Sequence, residues 1–334
     1  MKDVDPRELL ADLATRATEA ARALASSAFV RSIVPLSGGY SSLTYQAVLA
    51  SSGEPDRRIV LKVAPPGLEP VRNRDVLRQA RVLAALRDVV GVRVPDVLFE
   101  SIGAPPQRPP FFAMSFADGD SVDPLVDRAD EPAGVVLAAR ALAAARMLGA
   151  MHHCSPTSIG LGGEPAMGLR AEVERWCRAL ESVDDDLRLD GPALGDRLLE
   201  VLPAEDVPVL VHGDYKLGNM RCQGAEICAL VDWEIWSIGD GRTDLAWFLM
   251  MLDPRYPARV RDVPELPTPG EIQGAYEAVL GRSVHDMGWF HAFVRFKQAA
   301  TTALITKQAR KRGEPGYPEL IAAHLGAVRS GLDQ

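Results

Sequence analysis

The sequence is poor in cysteine, with four in 334 residues: Cys154, Cys177, Cys222 and Cys228. Thiols so few and so scattered exclude a disulfide scaffold. Cys222 and Cys228 could face each other across a hairpin, either as a redox pair or as two reduced, partly buried thiols. A long uninterrupted apolar run is also missing. The best candidate, Val135 to Met151, is broken by Arg140 and Arg146 and reads as a soluble helix rather than a membrane span. The opening Met1-Lys2-Asp3-Val4-Asp5-Pro6-Arg7-Glu8 is too acidic and too polar for a secretory signal, so the expected location is cytoplasmic. Positive charge is in deficit. A net charge of −8 argues against nucleic acid or an anionic membrane as partner.

What is present is ordinary globular material, 47% hydrophobic and 25% charged, enough for one large or two moderate domains. The charge is uneven. Residues 1–116 hold 15 Lys/Arg against 12 Asp/Glu, and residues 117–334 hold 22 against 33, giving +3 and −11. A basic phosphate-handling part beside an acidic acceptor part would give that split, and so would ordinary surface variation.

Helical spacing of Leu9, Leu10, Leu13, Ala17, Ala20 and Leu24 predicts an opening helix over 3–25. Ile33 to Leu36, Leu43 to Ala50 and Arg58 to Val63 read as strands, separated by the turns 37–42 and 51–56. A helix over about 72–87 carries Val76, Ala80, Leu83 and Leu86 on one stripe, and Val97 to Phe99 and Phe111 to Met114 are further strands. Polar, Gly-containing sequence from Ser115 to Asp120 marks a lobe boundary, placed between residues 116 and 117. Beyond it the pattern is helical over about 133–153, 168–181, 192–202, 242–252, 270–280 and 286–311, with one β-rich island at 209–233.

That island carries the chemistry. Val209-Leu210-Val211-His212-Gly213-Asp214 is followed by Asn219, and Asp232 comes thirteen residues after Asn219, within Val231-Asp232-Trp233-Glu234. Phosphoryl transfer needs the triphosphate charge neutralised, a metal held and the acceptor hydroxyl aligned. Asp232 and Asn219 offer hard oxygen ligands for Mg2+, and Asp214 is a separate carboxylate able to take the acceptor's proton.

The His-Gly-Asp-x-x-x-x-Asn run with the later Asp-Trp-Glu resembles the catalytic and metal motifs of the aminoglycoside phosphotransferase (phosphotransferase enzyme) family. The wording is most similar to the branch found fused to acyl-CoA dehydrogenases. Ile238-Gly239-Asp240, Thr243 to Trp247, Met151-His152-His153 and Ile159-Gly160-Leu161-Gly162 resemble other segments of that branch, so the likeness runs from about residue 33 to 310. It implies a phosphate-covering loop at Gly38, Gly39, Ser41 and Ser42, a phosphate-contacting lysine at Lys62, and an adenine-binding hinge from Met114 through Ser115 to Ala117. Where the family offers a Glu to pair with the lysine, this chain has Gln79, with Asp75 one turn earlier as a substitute partner. His212 is expected to be a structural hydrogen-bonder, Asp244 to cap or brace the loop after the metal Asp rather than to bind Mg2+, and Glu234 to be a second metal or acceptor-side carboxylate.

The implied fold is α+β, protein-kinase-like and two-lobed. A nucleotide-binding lobe over 1–116 would carry an antiparallel sheet, and a larger helical lobe over 117–334 would carry base and acceptor. The implied reaction moves the γ-phosphoryl of ATP, or of GTP, to a hydroxyl of a small molecule, with Mg2+ as cofactor. The rivals are a non-catalytic nucleotide-binding pseudokinase, suggested by Gln79, and a metal-dependent hydrolase built on His212, Asp214, Asp232 and Glu234. The acceptor is either aminoglycoside-like or a metabolic alcohol or hydroxyacyl compound. Asp184-Asp185-Asp186 could attract a cationic acceptor or form a solvated loop. Trp289, Phe290, Phe293, Phe296 and Leu304 could line an apolar pocket or pack the core. Self-association as a homodimer is compatible with this reading.

Overall fold

The computed structural model describes residues 6–36, 42–127 and 132–333, which form two compact units. Unit 1 comprises Met1–Asp120, Arg221–Gln223 and Cys228–Ile235; unit 2 comprises Ser121–Met220, Gly224–Ile227 and Trp236–Gln334. The single cut expected at 116/117 therefore needs correcting. The first break falls after Asp120, and the segment holding Asp232 belongs with the N-terminal sheet rather than with the helical unit. The physical reason is a backbone ladder. Asp120 donates its N–H to Cys222 O at 2.9 Å and accepts from Cys222 N–H at 2.8 Å. Gly119, at φ +112°, permits this approach, since a Cβ there would meet Cys222 O at 2.1 Å.

Unit 1 is built on a five-stranded antiparallel sheet of order β1-β2-β3-β5-β4. The strands are β1 (Phe29–Pro35), β2 (Leu43–Ser51), β3 (Glu54–Val63), β4 (Val97–Ser101) and β5 (Phe111–Ser115). Ser51 and Glu54 pair across a tight turn in which Gly53 takes φ +83°. Alternation along the strands sorts the two faces. Ile59, Leu61 and Val63 of β3 join Tyr45, Ala47 and Leu49 of β2 and Phe111 and Ala113 of β5 in a core shared with Leu13 and Ala17 of α1 (Pro6–Ala21). The opposite face carries Lys62, in register with Phe112, and Val60, in register with Met114. Near it lies α2 (Val76–Leu86), which starts after a 3-10 turn at Arg72–Arg74.

Unit 2 is mostly helical. Its elements are α3 (Gly134–His153), α4 (Leu169–Glu181), α5 (Asp185–Arg188), α6 (Gly191–Glu200), α7 (Arg242–Met251), α8 (Pro269–Leu280), α9 (Met287–Lys311) and α10 (Pro318–Leu332). Strands β6 (Val209–Val211) and β9 (Ser237–Gly239) pair antiparallel, whereas β7 (Met220–Gln223) pairs with β8 (Glu226–Leu230) and most of each of these two strands belongs to unit 1. Sequence punctuation is clearest at α8: Thr268 and Glu271 form a capping box, Pro269 opens the helix, and Gly281 closes it at φ +82°. Helix α3 is long and apolar enough to cross a membrane by length and composition. It packs on α8, and its buried Arg140 donates to Gly224 O at 2.7 Å.

The core of unit 2 gathers around α9. Phe290, Phe293 and Phe296 are fully buried among Leu194 and Leu198 of α6, Leu180 of α4 and Leu325 of α10. Trp289 joins them and Leu304 packs against the edge, so the α9 aromatics form core rather than a pocket lining. The acidic run is likewise committed within the chain: Arg310 pairs with Asp186 at 2.7 Å and Asp184 at 3.6 Å. All four cysteines are free thiols. Helix α10 is an element that the sequence reading did not anticipate.

Candidate active site

In unit 2, β6 ends at Val211 and delivers His212, Gly213 and Asp214 into a tight loop that closes with a 3-10 turn at Leu217–Asn219. The loop is held by one buried carboxylate. Asp244 of α7 accepts from the backbone N–H of His212 at 2.6 Å and of Gly213 at 2.9 Å. Asp244 thus braces the loop that carries Asp214, rather than the loop after Asp232 for which it was expected, and His152 Nε2 stands 3.6 Å from it. Burial works against the Asp244 charge, but His152, His212 and the Gly213 N–H outweigh it and hold its carboxyl below the usual range. His212 is structural as expected: it is fully buried, and its Nδ1 accepts from the Asp214 N–H at 3.2 Å. His152, too, is a buried hydrogen-bonder, with Nδ1 2.9 Å from the Tyr276 hydroxyl.

Asp214 is tied at both oxygens. The Trp247 indole N–H donates to Oδ1 at 3.0 Å, and Asn219 Nδ2 donates to Oδ2 at 2.9 Å and to the Asp214 carbonyl at 2.8 Å. Lys216 Nζ lies 3.4 Å from Oδ2 and 3.7 Å from Asp123 Oδ2. Burial would raise the Asp214 carboxyl, yet Lys216, His212, Asn219 and Lys297 together hold it below the ordinary carboxylate range. A quarter of its side chain remains exposed. The result is an ionised, oriented and partly accessible carboxylate, which is what a general base requires.

Lys216 is opposed by burial, but Asp214 and Asp123 raise it above the usual lysine range. Asp123 accepts from the Gly218 N–H at 2.7 Å, and burial pushes its carboxyl up in spite of Lys216 and that bond. A side chain at Gly218 would collide with it, at 2.3 Å. Lys297 of α9 donates from Nζ to Gly213 O at 2.6 Å and lies 4.4 Å from the centre of the Trp247 ring. These residues were not assigned roles from sequence. Lys216 stood at an unspecified position of the motif and Trp247 in a quoted segment, whereas Asp123 and Lys297 lie about 90 and 80 residues from Asp214 with no local signal.

In unit 1 a pocket is lined by Lys62, Gln79, Leu83, Pro95, Phe112, Met114, Val231, Asp232 and Trp233. Lys62 is buried and its Nζ pairs with Asp232 Oδ1 at 3.3 Å. Asp232 sits at φ +67°, a left-handed conformation that Asp tolerates better than most residues. Gln79 faces the same pocket with its Nε2 buried and without a hydrogen-bond partner among the described residues, and the lysine pairs with Asp232. Asp75 does not substitute for the missing Glu. It is the N-cap of α2 and accepts from the Arg78 N–H at 3.0 Å.

Among the proposed hinge residues, Met114 is buried in the sheet and lines the pocket. Ser115 is fastened to the neighbouring loop: its N–H donates to Asp96 O at 2.9 Å, and its Oγ accepts from the Asp96 N–H at 2.9 Å. The Ser115 N–H is therefore engaged within the sheet unit, and the half-buried Ala117 follows the strand end. Ser42 is buried, and its Oγ has no hydrogen-bond partner among the described residues. Gly38, Gly39 and Ser41 lie outside the described residues. Glu234 is half-buried, two residues beyond Asp232.

The donor chemistry suits Mg2+. In unit 2 the Asn219 amide spends its N–H on Asp214, which leaves its oxygen as a hard donor atom, and in unit 1 Asp232 offers a carboxylate. Among the described residues no cluster of three or more His, Cys, Asp or Glu could hold a metal ion. Mg2+ commonly takes one or two carboxylates and fills its shell with phosphate and water.

Curated relatives include the probable acyl-CoA dehydrogenase IBR3 of Arabidopsis thaliana, 29% identical over 64% of this chain and 27% of that protein. Acyl-CoA dehydrogenase family member 10 of Mus musculus is 26% identical over 81% of this chain and 26% of that protein. The chain thus spans about a quarter of the length of these relatives. Among solved structures, a Ralstonia eutropha JMP134 protein provisionally assigned as an aminoglycoside phosphotransferase matches with a TM-score of 0.74. The match has 20% identity and covers 98% of this chain and 97% of that one. A thermostable mutant of aminoglycoside phosphotransferase APH(4)-Ia, in ternary complex with ADP and hygromycin B, gives 0.59 at 16% identity, covering 91% and 94% of the two chains. Macrolide 2'-phosphotransferase type I gives 0.60 at 20% identity, covering 98% and 99%. These neighbours share the two-lobed, kinase-like α+β fold. The model of the phosphotransferase enzyme family (APH) matches residues 32–264, from the first strand of the sheet past the Asp214 loop and α7, and this chain belongs to that family.

Proposed function

We propose that this phosphotransferase moves the γ-phosphoryl group of ATP to a hydroxyl of a small molecule, with Asp214 as general base. The observation that carries the reading is the Asp214 carboxylate, held ionised and oriented by Trp247, Asn219 and Lys216. In this reaction the acceptor oxygen attacks the γ-phosphorus as its proton passes to Asp214. The bond to the bridging oxygen breaks, and ADP leaves with the electron pair. Lys62 and the 38–42 loop hold phosphates, and the Met114–Ala117 strand end receives the base. Asn219 and Asp232 are the Mg2+ ligands, with Glu234 as a further carboxylate. Mg2+ supplies charge neutralisation on the phosphates when bound. The nucleotide reading draws support from a neighbour solved with ADP, and a GDP complex among the neighbours keeps GTP in the test.

The acceptor we favour is a metabolic alcohol or hydroxyacyl compound, because the curated relatives carry acyl-CoA dehydrogenase names. The Arg310 pairs that neutralise the 184–186 run weaken the case for a polycationic acceptor. The same reading keeps the protein in the cytoplasm without a nucleic-acid or membrane partner. Turnover of ATP and GTP with Mg2+ against a panel of hydroxylated acceptors is the test. Asp214→Ala is expected to lose about 10²–10⁴-fold in kcat while keeping nucleotide affinity. Nucleotide binding without transfer to any acceptor would favour the pseudokinase, and near-wild-type turnover by Asp214→Ala would remove it as the base.

A further inference from the structure

Lys297 stands where the pattern of α9 calls for an apolar residue. It lies four residues after Phe293 and three before Ala300, both fully buried, and is itself only 4% exposed. A methionine would fill such a position without the desolvation that a buried amine costs. The bonds that Lys297 makes are specific. Its Nζ donates to the Gly213 carbonyl at 2.6 Å and stands 4.4 Å from the Trp247 ring centroid and 5.7 Å from that of Trp176. Burial pulls its pKa down, while Glu172, Asp244 and Asp214 favour the charged form and Arg175 opposes it.

Those two contacts converge on the same side chain. The Gly213 carbonyl belongs to the peptide that carries the Asp214 nitrogen, and Trp247 is the donor to Asp214 Oδ1. Gly213 sits at φ +88°, so its conformation is fixed by what holds it at each end: Asp244 at its N–H and Lys297 at its carbonyl. We propose that Lys297 is a positioning residue for phosphoryl transfer: by clamping the Gly213 carbonyl and the Trp247 ring together, it sets the direction of the Asp214 carboxylate. This rests on the reading of Asp214 as base. It adds that the base is aimed by a lysine on a helix remote in sequence.

The test compares wild type with Lys297→Met. The indole N–H resonance of Trp247 is assigned by its disappearance in Trp247→Phe and reads the Asp214 contact without any turnover. In Lys297→Met it is expected to move, while the melting temperature is equal or higher. Steady-state kinetics should show kcat lower by about 10–100-fold, the scale of a small misplacement of a reacting group, with both KM values within about two-fold. In Lys297→Ala, ethylammonium should restore part of the lost kcat and ethanol should not. A folded Lys297→Met with an unmoved Trp247 resonance, or with unchanged kcat, overturns the proposal. Should Lys297→Met not fold, Lys297→Leu, which likewise cannot donate to Gly213, takes its place in the same measurements. If wild type transfers phosphate to no acceptor, the proposed function fails, and the resonance still decides whether Lys297 sets the Asp214 contact.

Discussion

At the scale of single residues, the informative positions are those that break a local rule. Gln79 is one: a buried amide whose donor finds no partner among the described residues, where a lysine's partner was expected. Gln79→Glu would draw Lys62 toward α2, because a charge-assisted hydrogen bond is roughly twice as strong as a neutral one. Asp232 would then be released from Lys62, and MgATP is expected to bind about five-fold more tightly, equivalent to ~1 kcal/mol. Calorimetric titration reads this, and weaker binding would mean that a carboxylate there repels the triphosphate. His324 is another. It is buried on α10 beside Tyr256 with its Nδ1 unpaired among the described residues, and burial, helped by Arg295, pushes its pKa down to about 3. The unfolded chain takes up this proton at the ordinary histidine pKa and the folded chain does not. Stability from this group is therefore complete above about pH 6.5 and declines toward pH 3, by up to about 1.4 kcal/mol per pH unit. His324→Phe should flatten the fall in melting temperature between pH 6.5 and pH 4. An unchanged slope would show that His324 protonates without unfolding the chain.

At the scale of elements, chain-local signals were readable and long-range ones were not. The capping box and terminal Gly281 of α8, the Gly53 turn and the alternation of β2 each act within a few residues, so the sequence announces them. The Asp214 loop was legible for the same reason, and the two-lobed fold followed from the family resemblance that this loop carries. Helix α10 has a clear stripe in Ile321, Leu325 and Val328, yet it packs on α9 and α6, and no neighbouring motif drew attention to it. Asp75 was misread because an N-cap and a lysine partner look alike in sequence. Only the Arg78 N–H distinguishes them. Asp75→Ala should therefore cost about 1 kcal/mol of stability, the usual value of a lost cap, and leave MgATP affinity alone. Chemical denaturation and a binding isotherm on the same preparation check both halves. A loss of affinity without a loss of stability would return Asp75 to the lysine's side.

At the scale of the whole molecule, the two compact units are not two consecutive stretches of chain. Residues 228–235 complete unit 1 with Val231, Asp232 and Trp233 lining the pocket beside Phe112 and Met114. A fragment of residues 1–120 is thus expected to be poorly soluble and to bind an apolar dye, whereas a fragment of residues 1–235 keeps the Lys62–Asp232 pair; size-exclusion chromatography and dye fluorescence separate the two outcomes. A well-behaved monomeric 1–120 fragment would show that the sheet does not need the later segment. The same discontinuity has a consequence during synthesis. The α1 face of the sheet can close once residue 120 has left the ribosome, but the Lys62 face must wait for about a hundred further residues. At typical elongation rates of ~5–20 residues per second, that is roughly 5–20 s in which Phe112 and Met114 are open to whatever the nascent chain meets first.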